Sequence, residues 1–158
     1  MKTKAFRIIK KNQLTHAFDG EGARLYGGRW NSKGTSIVYS AGSRALAALE
    51  VIVHLSSSLF QLDFLIIELE FDSKLVKKIH RDELPTLWRS DQPIIATQHI
   101  GNQWLKGGSS PILDVPSSII PEESNYLLNP RHPDFHSICI GKPQPFCFDL
   151  RLNKAKKD

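Results

Sequence analysis

The chain is 158 residues long, 41% apolar and 23% charged, with a formal net charge of +5. That composition is ordinary for one globular domain able to bury a core, spanning residues 1–158, and it argues against a disordered or low-complexity chain. No apolar run approaches the ~20 residues that cross a bilayer, and the start lacks the apolar stretch of a signal peptide, so the expectation is a cytoplasmic protein without membrane contact.

Much of the positive excess sits at the ends, in Lys2, Lys4, Lys10 and Lys11 and then in Lys154, Lys156 and Lys157. Solvated ends, flexible over residues 1–4 and 153–158, account for it without nucleic acid. The two cysteines, Cys139 and Cys147, lie in apolar strand-like sequence and read as small buried hydrophobes rather than as a disulfide.

Residues 4–9 read as a first strand, and residues 14–26 as a Gly-rich loop with Phe18 and Tyr26 available for packing. Gly27 and Gly28 then let the backbone turn sharply or approach a ligand closely. Arg29 follows at once. Its guanidinium suits forked hydrogen bonding to phosphate oxygens, although a structural arginine in a turn fits the same spacing. Asn31-Ser32-Lys33-Gly34 is a turn tetrad, and residues 35–41 form a strand with Ile37, Tyr39 and Ala41 on one face. On that face Tyr39 reads as a core residue whose hydroxyl is bonded.

Ser43 is an N-cap for residues 44–55, which are apolar on nearly every side and predict a buried helix. Its polar interruptions, Glu50 and His54, share a face at i, i+4. A buried carboxylate is costly unless paired or hydrogen-bonded, so Glu50 is the residue that packing explains least. Glu50 and His54 lack third and fourth ligands at a familiar spacing, and no metal site is expected.

Residues 63–71 alternate, with Leu65, Ile67, Leu69 and Phe71 opposed to Phe64, Ile66, Glu68 and Glu70. This predicts a strand with one solvated end. Residues 73–80 read as a short helical turn. Asp91-Gln92-Pro93 opens a helix that ends at Gly107-Gly108, with Trp88 and Trp104 as packing residues. Residues 111–117 and 119–120 read as strand, 125–130 as a loop held by two hydrophobes, and His132 as a surface or capping residue. Residues 137–152 supply last strands broken by Pro143 and Pro145. Strands outnumber helices, giving an α+β class with a mixed β-sheet core and flanking helices.

Several stretches carry a family likeness in chain order: Asp19-Gly20-x-Gly22-Ala23-Arg24-x-Tyr26-Gly27-Gly28-Arg29-Trp30-Asn31, Tyr39-Ser40, Ala47-Ala48-Leu49-Glu50 and Val115-Pro116-Ser117. Asn125-Tyr126-Leu127-Leu128-Asn129-Pro130-x-His132-Pro133 and Phe146-x-Phe148-Asp149-x-Arg151-Leu152 continue it. Over nearly its whole length the chain resembles the RES-domain family. The resemblance implies a fold like that of ADP-ribosyltransferase toxins. It also implies a toxin of a bacterial toxin–antitoxin pair that degrades NAD+ by cleaving the nicotinamide–ribose bond through phosphorolysis. NAD+ is then the substrate and orthophosphate a co-substrate, with no further cofactor.

By motif position the resemblance makes Arg29, Glu50 and Ser117 the catalytic set, with Ser118 the adjacent alternative to Ser117. Tyr39 is the aromatic companion, and Arg24 and Trp30 are secondary substrate-binding candidates. Arg29 would bind phosphate oxygens, Glu50 a ribose hydroxyl and the developing ribosyl cation, Tyr39 the nicotinamide riboside end, and Ser117 would fix substrate by hydrogen bonding. An Xre-type antitoxin is the implied partner, which would carry the DNA contact. A homodimer and a toxin–antitoxin hetero-oligomer stay open. So do two other functions: transfer of ADP-ribose to a protein or nucleotide acceptor, and a non-catalytic basic binding module. The latter finds no helix-turn-helix, zinc or single-strand-binding signature in its favour.

Overall fold

The computed structural model describes residues 1–153; Lys154, Lys156 and Lys157 of the expected charged end lie outside the described residues. The chain winds into one eight-stranded sheet of β1 (Lys2–Lys10), β2 (Val38–Ala41), β3 (Phe64–Asp72), β4 (Val76–Lys78), β5 (Ile112–Pro116), β6 (Ser124–Leu128), β7 (Cys139–Ile140) and β8 (Gln144–Phe146). Strand order is β4-β5-β6-β2-β1-β3-β7, with β8 also on the outer edge of β3. Among the described residues only β4 and β5 run parallel; the other pairs are antiparallel. Three helices, α1 (Glu21–Tyr26), α2 (Arg44–Ile52) and α3 (Ile95–Gly107), flank it, which is the mixed sheet with flanking helices that the pattern predicts.

The alternation of β3 sorts the layers. Leu65, Ile67, Leu69 and Phe71 join Ala5, Ile9, Val38, Ile112 and Leu128 in a core on one face. Phe64 and Ile66 point to the other face, where with Phe6, Ile8 and Ala41 they meet Leu46 and Ala47 of α2. Further along that second face, Ile37, Leu113, Val115 and Leu127 pack with Trp30, Trp88 and Trp104. Thus α2 and the tryptophan cluster sit side by side on one surface of the sheet. Helix α3 approaches so closely that a Cβ on Gly101 would lie 1.8 Å from the Trp30 carbonyl oxygen, a position only glycine fits.

Several expectations need correction. Residues 2–4 are not a loose end but the start of β1, in register with residues 70–72 of β3. Residues 125–128 belong to β6, paired on both sides by β2 and β5; flanking asparagines and Pro130 give residues 125–130 the look of a turn. The Gly-rich loop holds α1, and residues 76–78 form β4 rather than helix, while Ile119 and Ile120 lie in a bend after β5. Both cysteines are exposed: Cys139 lies in β7, an edge strand of two residues, and Cys147 follows β8, an edge strand of three. Helix α2 buries only Leu46 and Ala47; Leu49 is exposed, and Glu50 is half-buried rather than buried. Among the described residues, no helix is long and apolar enough to cross a membrane.

Candidate active site

The gap between α2 and the tryptophan cluster is floored by the central strands β2 and β6. In register, Ala41 lies opposite Asn125 and Tyr39 opposite Leu127, so Tyr39 and Asn125 project onto the same face as α2. Glu50 reaches this floor from the helix. Its Oε1 accepts hydrogen bonds from Ser117 Oγ at 2.9 Å and from Asn125 Nδ2 at 2.6 Å. Helix α2 is set in place at its start, where the Ser43 side chain accepts from the Leu46 N–H and contacts Glu123.

Ser117 follows β5 and is fully buried. Its Oγ accepts from the N–H groups of Ile119 and Ile120 at 3.0 and 3.1 Å while donating its one hydrogen to Glu50. A hydroxyl has one donor and two acceptor sites, so this one is fully used. Direct hydrogen bonding to substrate, the role expected for Ser117, therefore does not match its geometry; it orients Glu50. Ser118 lies outside this arrangement, its carbonyl taken by Arg89 Nε.

The opposite wall is a tight turn, Gly28 to Asn31, closed by the Gly28 N–H donating to the Asn31 carbonyl at 2.9 Å. Of its central residues, Trp30 turns inward and is 2% exposed, while Arg29 is half-buried at the cleft. The Trp30 ring is thus core, and Trp30 serves the site through its backbone. Arg29 Nη1 donates to the Trp88 carbonyl at 2.8 Å, and among the described residues its remaining donors meet no partner. Burial pushes the guanidinium below its ordinary value, against the opposing pull of Glu50 first, then Tyr39 and Asp91. Glu50 makes no ion pair, with Arg29 or any other cation, among the described residues.

Asn31 holds this wall together. It is fully buried, and its Nδ2 donates to the carbonyls of Ala23, Ser32 and Thr35. Its Oδ1 accepts from Tyr39 Oη at 2.7 Å, and Tyr39 Oη in turn accepts from the Trp30 N–H at 3.1 Å. Burial raises the Tyr39 phenol well above its ordinary value. The hydroxyl is committed to the turn, which leaves the ring face as the part of Tyr39 open to a ligand. Gly28 is required here: a Cβ would come within 2.7 Å of the Tyr39 hydroxyl. Gln98 of α3 adds a bond from Nε2 to the Gly28 carbonyl.

The other sequence candidates fall elsewhere. Arg24 is tied to Glu21 of its own helix through both Nε and Nη2. His54 lies beyond the end of α2 and is exposed, so it shares no site with Glu50. His132 caps a turn, its Nδ1 accepting from the Asp134 N–H. The residues that sequence reasoning missed are Asn31 and Asn125, each of which reads as turn chemistry in one dimension, and Trp88, which contributes only a carbonyl. A recess of about 470 Å³ between Gly34, Asn102, Lys106, Asn129 and Arg131 lies at the far end of β6 from Asn125 and contains none of the Arg29–Glu50 groups.

Comparison with known proteins gives consistent matches. The RES domain family model matches residues 4–149. A protein of Yersinia enterocolitica named Toxin Res is 41% identical over 149 residues, covering 93% of this chain and 97% of that one. The Prs ADP-ribosylating toxin of a Sphingobium species is 37% identical over 157 residues, covering 96% and 98%. A chain of the crystal structure of the M. tuberculosis MbcT–MbcA toxin–antitoxin complex superposes with a TM-score of 0.78 at 14% identity, over 97% of this chain and 87% of that one. At that identity the likeness is one of fold.

Proposed function

The chain belongs to the RES-domain family, and we propose that it is the toxin of a toxin–antitoxin pair and consumes NAD+ by cleaving the nicotinamide–ribose bond. The observation that carries this is a carboxylate with one oxygen engaged and the other unengaged among the described residues, facing a guanidinium that it does not touch. Cleavage at the anomeric carbon passes through an oxocarbenium-like state that a carboxylate stabilises. The Glu50 Oε2 is placed for that charge and for a ribose hydroxyl. The Arg29 fork takes phosphate oxygens, either of the dinucleotide or of incoming orthophosphate. The Tyr39 ring face packs the nicotinamide riboside end.

In the phosphorolytic form, an orthophosphate oxygen forms the new bond to the anomeric carbon as the C–N bond breaks. The pyridinium departs as neutral nicotinamide, taking the bonding electron pair, so no general acid is required. The products are nicotinamide and ADP-ribose phosphate, and the phosphate's remaining proton equilibrates with solvent. A second form is favoured by the name of the Sphingobium relative: transfer of the ADP-ribosyl group to a macromolecular acceptor in place of phosphate. Both place the reaction in the cytoplasm, where NAD+ and such acceptors meet.

An antitoxin partner follows from the same reading, since an NAD+-draining enzyme must be restrained in its own cell, and the family resemblance makes it one of Xre type. The fold neighbour comes from a toxin–antitoxin complex. A carboxylate of the inhibitor, placed against Arg29, would satisfy the donors left open there, and the +5 charge of the chain favours an acidic partner.

The test is incubation of folded protein with NAD+, with and without orthophosphate and with an added cell extract, followed by product identification. Phosphate-dependent appearance of ADP-ribose phosphate supports phosphorolysis, and labelled ADP-ribose on a macromolecule supports transfer. Intact NAD+ under all three conditions overturns the enzymatic reading.

A further inference from the structure

Asn125 carries an unbalanced hydrogen-bond account. Its Nδ2 donates to Glu50 Oε1 at 2.6 Å, a short charge-assisted contact. Its Oδ1 is sealed from solvent and is the one such buried side-chain atom among the described residues that meets no donor. Buried acceptors are almost always satisfied, and an exception needs a reason. Turning the amide over would satisfy nothing: it would set Oδ1 against the carboxylate oxygen and break the bond to Glu50. The orientation that leaves an orphan acceptor is therefore imposed by Glu50.

The backbone beneath Asn125 cannot relieve this. β6 is held by ladders on both sides, with Asn125 in register between Ala41 of β2 and Val115 of β5. Both neighbours are apolar and buried, and neither has a polar side-chain atom to offer Oδ1. Ala41 is also small, leaving room for the amide to meet a residue from the helix above. Ser117 arrives at the same oxygen from the end of β5, with its hydroxyl saturated by two backbone N–H groups. Two donors thus converge on Oε1 from two adjoining strands.

We propose that Asn125 is a positioning residue that, together with Ser117, fixes the rotation of the Glu50 carboxylate so that Oε2 is the oxygen presented to the ribosyl ring. The proposal rests on the reading that Glu50 faces that ring. Asn125 has its Nδ2 bonded to Oε1 and its Oδ1 sealed from solvent. It acts through Glu50, and the unmet acceptor on Oδ1 is the cost of an amide held for its donor alone.

Two measurements separate this from a structural role. In the ¹⁵N–¹H spectrum of the wild-type chain, the Asn125 side-chain amide should lie downfield of the other asparagine amides, and Glu50→Gln should move it back toward them. This needs no substrate, so it stands whether or not the chain consumes NAD+. Kinetically, Asn125→Leu should lower kcat by roughly 10- to 100-fold with KM within about threefold, because a misaimed carboxylate weakens transition-state more than ground-state interactions. Its Tm should stay close to that of the wild type, since removal of the orphan acceptor offsets the lost bond to Glu50. Asn125→Asp, close in shape, should lose more activity than Asn125→Leu by opposing one carboxylate with another. An Asn125 amide indifferent to Glu50→Gln overturns the proposal. So does an Asn125→Asp protein that folds and turns over NAD+ within twofold of the wild type.

Discussion

Two carboxylates on the α2 side of the sheet, one on β3 and one on α2 itself, have met opposite fates. Glu68 of β3 is finished: Lys4 Nζ reaches one oxygen at 2.5 Å and Arg44 Nη2 the other at 2.8 Å. Among the described residues Glu50 is bonded only by neutral donors, both on one oxygen, and it makes no ion pair. An acid whose two oxygens are taken by two cations has nothing left to offer. One that is oriented by neutral groups keeps its charge and an open oxygen, at the expense of a pairing it might have made. Glu68 is a stability device near solvent, and Glu50, on the proposed reading, keeps its open oxygen for substrate.

That contrast fails most visibly if Glu50 turns out to be another structural acid. Glu50→Gln keeps an oxygen for Ser117 and Asn125 and removes the charge. Turnover of NAD+ should fall by about 10³-fold or more, equivalent to about 4 kcal/mol of barrier, and Tm should change little or rise. Near-normal turnover in a folded Glu50→Gln protein, measured by nicotinamide release, ends the catalytic assignment.

The next largest effect belongs to the Arg29 wall. Asn31→Ala would remove the Nδ2 bonds to the Ala23, Ser32 and Thr35 carbonyls, of which Ala23 and Ser32 keep a backbone donor, and would leave Tyr39 without its acceptor, all at a fully buried position. The expected loss is about 2–4 kcal/mol of stability, read as a Tm drop of roughly 5–12 °C, with activity falling because the Arg29 turn loosens. Asn125→Leu should show the opposite combination of lost activity and retained stability. If both variants behave alike, the two asparagines do not differ in the way their bonding indicates.

This difference also marks how far the sequence could be read. Glu50 stands out in one dimension because a lone acid interrupts an apolar helix, and the period of β3 predicts which of its side chains enter the core and which stay wet. Arg29 is visible through the glycines before it. The asparagines are not visible, because Asn is common in turns and both occur among turn-forming neighbours. Their value arises only when β6 is inserted between β2 and β5, and when the Arg29 turn folds back on Tyr39. Those are contacts between residues 67 and 75 apart for Glu50, and no local pattern encodes them. Ser117 was legible as a position through its motif, but its saturation by two backbone N–H groups was not. The exposure of the cysteines has a related reason: apolar neighbours in sequence bury a residue only if the segment lies inside the sheet.

The smallest effect should come from Glu68. Its hydrogen bond to Lys4, with the charges of Lys4 and Arg44, holds its carboxyl below the ordinary glutamate value. A carboxylate whose folded value is depressed contributes stability above its unfolded value and loses that contribution as pH falls through the folded one. Glu68→Gln should therefore leave the protein slightly less stable near neutral pH. The difference should fade as pH drops below the usual glutamate range, and it should shrink at high salt, because the cluster is solvent-exposed and screened. Thermal melts of both proteins at pH 7 and pH 3, each at low and high salt, measure it. NAD+ turnover should be unchanged. If Glu68→Gln lowered turnover tenfold with its stability intact, the two carboxylates would belong to one functional unit, and the division between a closed pair and an open one would have to be redrawn.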